Sequence, residues 1–376
     1  MTTESDVYRD LQRHLDRLPI GLPSAQSGVD IRILQHLFTP EEARMATQLS
    51  MLPEPLGRIH RRVKKSGVSI EELEQLLDRM VKKGIVMSRV RGEKKYYSNE
   101  MLAVGMYEHQ VDRLTVDFAE DMLQYLDKEF ATELYRTKIP QLRTIPVEKS
   151  IPQEHSVSTY DNIREIIGDI DGPIVVANCV CRQAKDIVGE SCRQTDLRQT
   201  CLIFRESAQS YLDMGLARPI TKDEAFDILQ KAEHAGLILQ PINSQRPQAV
   251  CCCCGDCCGI LMAAKKFPRP AELYATSYYA EVNAKLCNGC QTCVDQCQMQ
   301  AAVWLGDVCQ VNLDRCIGCG ICVANCTSKA IRLHKKEVES LPPKSTGVMY
   351  KNILSRKTGK WHMLKLAMKR LARLQV

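Results

Sequence analysis

Apolar positions recur at helical spacing through most of the first 136 residues. Val7 to Leu18 is predicted as a leading helix, closed by Pro19 and a Gly/Pro/Ser turn. Ile31, Ile33, Leu34 and Leu37 form the stripe of a second helix. Pro40 with Glu41 and Glu42 opens a third through Leu49, and Leu56, Ile59 and Val63 mark a fourth. Ser69-Ile-Glu-Glu72 is a capping box ahead of Leu73, Leu76, Leu77 and Met80, in a helix that ends at Gly84. Ile85 to Arg89 and Lys94 to Tyr97 then flank Gly92 as a short hairpin. Val111, Leu114, Phe118, Met122, Leu126 and Phe130 predict one long amphipathic helix from Tyr107 to about Arg136. The proline-punctuated stretch from Ile139 to Pro152 is suited to lying extended across another surface. Ile174-Val-Val-Ala reads as a buried strand, Leu202 to Met214 as a helix, and Thr221-Lys-Asp-Glu224 as a capping box opening a helix to Gly236. A strand from Leu237 to Leu239 leads on to Asn243. Beyond Pro342-Pro343, Trp361, Leu364, Met368 and Leu371 share one helical face, while Lys365, Lys369 and Arg373 share another.

Several helices followed by a two-stranded hairpin resemble the winged-helix fold of bacterial regulators, which implies DNA as a partner. In that fold the start of the recognition helix faces the groove. Here it carries Glu71, Glu72 and Glu74, which phosphates repel. Arg58, Arg61, Arg62, Lys64 and Lys65 precede it, and Arg89, Arg91, Lys94 and Lys95 sit in the hairpin. A docking or structural role is nevertheless favoured over DNA binding, because fold alone does not carry function.

Cysteine usage changes the picture. The chain has 376 residues and 19 cysteines, none before Cys179 and none after Cys326. It opens without a basic-then-apolar signal segment and has no run of eighteen apolar residues, so a cytoplasmic location with reduced, metal-ligating thiols is expected. The net charge of +6 belongs to the tail: Lys344 to Val376 holds nine Lys and Arg and no Asp or Glu, which leaves −3 for the remaining residues. A general affinity for nucleic acid does not follow. The basic amphipathic tail fits an anionic membrane surface, an acidic partner, or its own negative body, so peripheral membrane association is one expectation.

The run Cys287-x-x-Cys290-x-x-Cys293-x-x-x-Cys297 repeats as Cys316-x-x-Cys319-x-x-Cys322-x-x-x-Cys326 after 29 residues. Thiolates are the ligands iron–sulfur clusters require, and in this two-cluster spacing the fourth cysteine of each run crosses to the other cluster. Cys287, Cys290, Cys293 and Cys326 are therefore expected to hold one [4Fe–4S] cluster, and Cys316, Cys319, Cys322 and Cys297 a second. Gly289 and Gly318, and Ala301 and Ala330, repeat at matching places. The segment from about Val282 to Leu333 resembles bacterial-type two-[4Fe–4S] ferredoxins, which implies two pseudo-symmetric halves around paired clusters. It departs from them where Gln298 and Thr327 replace the proline that usually follows the fourth cysteine. Zinc knuckles are the weaker reading, since zinc sites pair two-cysteine hooks. Cys309 fits neither run and reads as a core thiol.

Ten further cysteines fall between Cys179 and Cys258. Neighbouring side chains of an extended segment face opposite sides, so Cys251 to Cys254 are not expected to ligate one site together. Cys251, Cys254 and Cys257 repeat every third residue, as three ligands of a cluster do, and Cys179, Cys181, Cys192 or Cys201 would complete the set. With Cys253 and Cys258 the thiols suffice for one or more additional [4Fe–4S] clusters, or alternatively for Zn. Arg182 next to Cys181 is read either as stabilising a thiolate or as an ordinary surface ion pair.

Cys-x-Cys-Arg, two spaced cysteines, a Gly-Leu strand ending in Asn, then clustered cysteines ahead of the double run, resemble a group of multi-cluster iron–sulfur proteins from anaerobic bacteria and archaea. The expected fold is α+β and multi-domain: a winged-helix-like domain with N-terminal arm (1–104), a linker helix and extended segment (105–150), a cysteine-rich α/β metal-binding domain (151–275), a two-[4Fe–4S] ferredoxin-like domain (280–336) and a basic amphipathic tail (337–376). The resemblance implies electron transfer to redox partner proteins. A redox-sensing transcription regulator is one alternative. An iron–sulfur reductase with its substrate site at the middle cluster is another, although no dinucleotide or flavin fingerprint is present.

Overall fold

Two helix starts in the first part of the chain follow the capping chemistry. The computed structural model describes residues 4–151, 158–372, 374 and 375, a mixed α+β chain. It divides into two compact units, Met1–Thr137 with Tyr350–Val376, and Lys138–Met349. The end of the predicted extended stretch, Pro152, lies outside the described residues. No described helix is long and apolar enough to cross a membrane.

In the first unit, helices Val29–Leu37, Pro40–Ala46, Leu56–Val63 and Ile70–Lys82 follow the leading helix Glu4–Leu15. Two of them begin in reciprocal capping boxes. Ser69 Oγ accepts the Glu72 amide at 3.1 Å while Glu72 accepts that of Ser69 at 2.9 Å, and Thr39 and Glu42 do the same at 3.2 and 2.8 Å. Leu73, Leu77 and Met80 from the last helix and Ile59 from the one before are fully buried. Strands Val86–Arg91 and Lys94–Asn99 pair antiparallel with Arg91 opposite Lys94, and Glu54–Pro55 adds a third strand to Lys94–Asn99.

The long helix expected from Tyr107 to Arg136 is instead broken. Thr115 Oγ1 accepts the Phe118 amide and starts Val116–Asp127, and the backbone turns at Lys128 (φ −116°, ψ −82°) before Glu129–Tyr135. Phe118, Met122, Leu126 and Phe130 are buried as the stripe predicts. An apolar stripe reports which positions face the core, not whether the backbone ladder runs unbroken between them.

In the second unit, five strands form one sheet in the order Arg218–Pro219, Ile174–Asn178, Gln199–Phe204, Ala249–Cys253, Ile238–Pro241. Every pairing is antiparallel, so the α/β layering expected for 151–275 gives way to an antiparallel sheet with helices beside it. The helix expected from Leu202 begins only at Arg205. Leu202, Ile203 and Phe204 belong to the strand, where a β-branched and aromatic run packs best, and Arg205 (φ 58°) makes the turn into Arg205–Asp213. Thr221 Oγ1 accepts the Glu224 amide at 3.1 Å and caps Lys222–His234. The proline-punctuated stretch lies along the sheet edge: Arg143 and Ile145 donate their amides to Pro241 and Leu239. Arg143, wholly buried, pairs with buried Asp161.

The double cysteine run closes this unit. Tyr278–Val282 pairs with Ile331–Lys335 and Ala302–Trp304 with Cys309–Val311, and the short helices Thr292–Asp295 and Ile321–Ala324 lie within the two runs and carry the third cysteine of each. The 29-residue repeat extends to the backbone. Left-handed conformations recur at Gly289 and Gly318 (73° and 67°), at Gln291 and Gly320 (59° and 77°), and at Gln300 and Lys329 (56° and 53°). At Gly318 a Cβ would lie 2.3 Å from the Tyr278 carbonyl oxygen, so only glycine fits.

The tail forms helices Thr346–Thr358 and Lys360–Leu371. Trp361, Leu364 and Met368 are 80, 52 and 62% exposed, so these three do not pack on the body of the protein. The side chain of Leu371, and Arg373 as a whole, lie outside the described residues. Replacing Ser69 by Ala is expected to lower the stability of the first unit by about 1 kcal/mol, read as faster amide exchange in Ile70–Lys82 and unchanged exchange in the Ala249–Cys253 strand.

Candidate metal centres

The pleat of the Ala249–Cys253 strand sorts its cysteines. Cys251 and Cys253 hydrogen-bond through their thiols and so share a face, while Cys252 points the other way. Cys201 sits directly opposite Cys251 on the neighbouring strand and also hydrogen-bonds to it. Cys179 precedes the helix Val180–Ile187 and Cys181 lies in its first turn; Cys258 precedes Gly259–Lys265. Thiol hydrogen bonds join them in the order Cys179, Cys181, Cys258, Cys253, Cys251, Cys201. These six sulfurs line one bay. Cys253 and Cys258 lie at its buried end, and the other four are half-buried.

A second group adjoins the bay through Cys254, the neighbour of Cys253. Cys192, Cys254, Cys257 and Asp256 bring one donor atom each to within 4.8 Å of one another and can hold a metal ion. Cys254 and Cys257 thus gather as the three-residue spacing suggests, but Cys251 does not join them. It belongs to a strand that ends at Cys253, and its side chain faces Cys201. Asp256 was not legible as a candidate; its signal was its place inside the Cys254–Cys257 hook.

Between the two groups stands Arg182, with no exposed surface. Its guanidinium donates to Thr200 Oγ1 at 2.6 Å and to the Cys252 carbonyl at 2.8 Å. Among the described residues no carboxylate pairs with it, so it is not a surface ion pair. Burial opposes its charge, but Cys179, Cys254 and Cys253 hold it protonated. The effect is mutual. The Cys254 thiol is drawn down to about 6 by a hydrogen bond from Cys257 and by Arg182. That of Cys258 is drawn down to about 5 by hydrogen bonds from Cys181 and Cys253. Ionised sulfur is what a metal needs.

In the double run, Cys297 lies in the electrostatic neighbourhood of Cys316, Cys319 and Cys322, the fourth cysteine of one run with the first three of the other. Cys293 is influenced by Cys290 and Cys287. Cys326 packs on the same small core of Ala280, Ala301, Cys316 and Ile331 that Cys293 and Cys297 touch. Backbone amides aim at sulfur: Ala301 donates to Cys297 at 3.1 Å and Ala280 to Cys316 at 3.5 Å. These thiols and their amide donors fit iron–sulfur ligation, whose potential such bonds tune. Cys309 is buried in its strand, where burial and a hydrogen bond to Cys293 push its thiol up to about 12.

Gln298, which stands where ferredoxins usually carry proline, links the two cysteine regions. Its side-chain oxygen accepts the Gly255 amide at 2.7 Å, and a Cβ on Gly255 would lie 2.5 Å from the Gln298 carbonyl oxygen. Proline could not make that bond. Gly255 follows Cys254 and Gln298 follows Cys297, so this hydrogen bond joins the two cysteine regions beside a cysteine of each.

No family model, curated protein or solved structure matches this chain. Gln298→Leu is expected to leave the buried Gly255 amide unpaired at a cost of about 1–3 kcal/mol, read as a lower urea midpoint of the metal-loaded protein. Arg182→Met should strip the cation from two anionic ligand groups and cost more, about 3–5 kcal/mol, with metal lost from the middle cysteines before the double run.

Proposed function

We propose that the chain is an iron–sulfur electron-transfer protein. In this reading Cys287, Cys290, Cys293 and Cys326 hold one [4Fe–4S] cluster and Cys316, Cys319, Cys322 and Cys297 a second, in a ferredoxin-like segment. A further cluster occupies the six-thiol bay. Single electrons pass between these centres to a partner redox enzyme. The observation that carries the reading is that Cys297 acts electrostatically on Cys316, Cys319 and Cys322, as the crossed ligation of a two-cluster spacing would have it. Iron–sulfur clusters supply one-electron redox chemistry when bound.

The chain's own residues hold, shield and connect. Ala280 and Ala301 turn their amides toward ligand sulfur, and Ile317, Ile321 and Ile331 keep water from the second run. The Gly255–Gln298 hydrogen bond gives the bay's strand a short through-bond route to Cys297. The winged-helix-like first unit is read as a docking element. Arg62 and Arg58 are committed to Glu54, and Lys95 to Glu74 and Asp78, while Glu71 and Glu72 remain exposed at the helix start. Arg61, Lys64, Lys65, Arg91 and Lys94 are exposed nearby, so it is the acidic helix start, and not a shortage of basic side chains, that disfavours phosphates there. Trp361, Leu364 and Met368, exposed beside Lys365 and Lys369, suit an acidic redox partner or an anionic membrane surface.

Anaerobically reconstituted full-length protein is expected to hold about twelve iron and twelve acid-labile sulfide per chain, with absorbance that bleaches on reduction. Cys253→Ser combined with Cys258→Ser should remove about four of each. A reconstituted protein without sulfide or visible absorbance would overturn the reading. About eight iron, unchanged by the paired substitution, would remove the bay from the relay.

A further inference from the structure

We propose that Cys192, Cys254, Cys257 and Asp256 form a separate mononuclear centre, a tetrahedral site of the Zn2+ class, distinct from the six-thiol bay. Its metal is a single ion and not a cluster. This goes beyond the electron-transfer reading, which does not use the site.

Sulfur spacing carries the argument. Zinc–thiolate bonds of about 2.3 Å in a tetrahedron place neighbouring sulfurs about 3.8 Å apart. Cys192 Sγ and Cys254 Sγ are 3.6 Å apart, Cys192 Sγ and Asp256 Oδ1 are 3.7 Å apart, and all four donors lie within 4.8 Å. A [4Fe–4S] cube puts its own core between its thiolates and spreads them wider than a single ion does. The bay differs in kind, with six thiols that touch only pairwise along a chain of neighbours drawn from two strands and two helix starts.

The surroundings complete a built site. Cys192, Cys254 and Cys257 are buried, at 8, 1 and 1% exposure, so little water competes for the ion. Asp256 Oδ2 accepts the Arg193 amide at 2.8 Å, which fixes the carboxylate and leaves Oδ1 facing the thiols. Backbone amides of Gln194 and Thr195 donate to Cys192, and Arg182 hydrogen-bonds Cys254. Asp256, Cys192 and Cys254 are thus oriented from behind, as supported metal ligands are. Cys254-x-x-Cys257 supplies the two-cysteine hook of zinc sites, and Cys192 and Asp256 close the tetrahedron with no open position. Such a closed site serves a structural role. It pins the loop around Cys192 to the segment that also reaches Gln298.

The test is metal content of the full-length protein, loaded anaerobically with zinc, iron and sulfide together. About one zinc per chain is expected, with three sulfur and one oxygen neighbours by X-ray absorption at the zinc edge. Cys257→Ser should lower zinc affinity about tenfold or more and leave iron unchanged. Cys253→Ser should do the reverse. Asp256→Asn, close in shape, keeps the fold testable should the cysteine variant misfold, and is expected to weaken zinc binding about 10–100-fold. Iron, and not zinc, falling in Cys257→Ser or Asp256→Asn would overturn the proposal, as would wild-type protein that retains no zinc. Failure of the electron-transfer reading would show instead as missing iron and sulfide with zinc still in place.

Discussion

A guanidinium without exposed surface and without a carboxylate partner among the described residues constrains the middle of this protein. An uncompensated buried charge costs several kcal/mol, so Arg182 is tenable only beside anions. Its neighbours are sulfurs: Cys254, whose thiol is drawn down, on the side of the compact site, and on the side of the bay Cys179 and Cys253, whose thiols are held up by hydrogen bonds with Cys181 and Cys251 and by burial. Cation and ligands therefore specify one another. Arg182 lowers the proton affinity of sulfurs that burial alone would keep as inert thiols, and the sulfurs keep the arginine charged in the interior. The sheet supplies the scaffold, since Thr200 and the Cys252 carbonyl that fix the guanidinium come from adjacent strands.

From this centre the structure extends to the double run through few contacts. Gln298 takes the Gly255 amide, Lys265 reaches the Gly255 carbonyl, and Arg315, just before Cys316, donates to the carbonyls of Lys265 and Met299. The Gly255–Gln298 and Arg315–Lys265 bonds cross between the two regions, and the other two hold Lys265 and Arg315 in place. The proline that ferredoxin-like sequences usually carry gives way at this junction to a side chain that can accept a hydrogen bond.

The first unit is built by local rules. Capping boxes start two of its helices, a tight hairpin closes its sheet, and Arg58, Arg62 and Lys95 pair with Glu54, Glu74 and Asp78. Surface pairs of this kind contribute little stability, but they set which charges face a partner. The exposed Trp361, Leu364 and Met368 face of the tail helix is the other surface available for recognition.

The sequence by itself determined the helix starts at Pro40 and after Ser69, the buried stripe through Phe118 and Met122, the hairpin around Gly92, and the 29-residue repeat down to its glycines. Each is encoded within a few residues by capping, periodicity or a left-handed turn. It did not determine where Val116–Asp127 ends, that Leu202 to Phe204 form a strand, or that the middle sheet is antiparallel, because those outcomes depend on partners distant in the chain. The same holds for the site. Spacing alone grouped Cys251 with Cys254 and Cys257. Strand pairing instead turned Cys251 toward Cys201, brought Cys192 from 62 residues away onto Cys254, and enlisted Asp256. Ligand type is a property of the residue and is legible in sequence; which ligands share a metal is a property of distance, which only the tertiary structure decides.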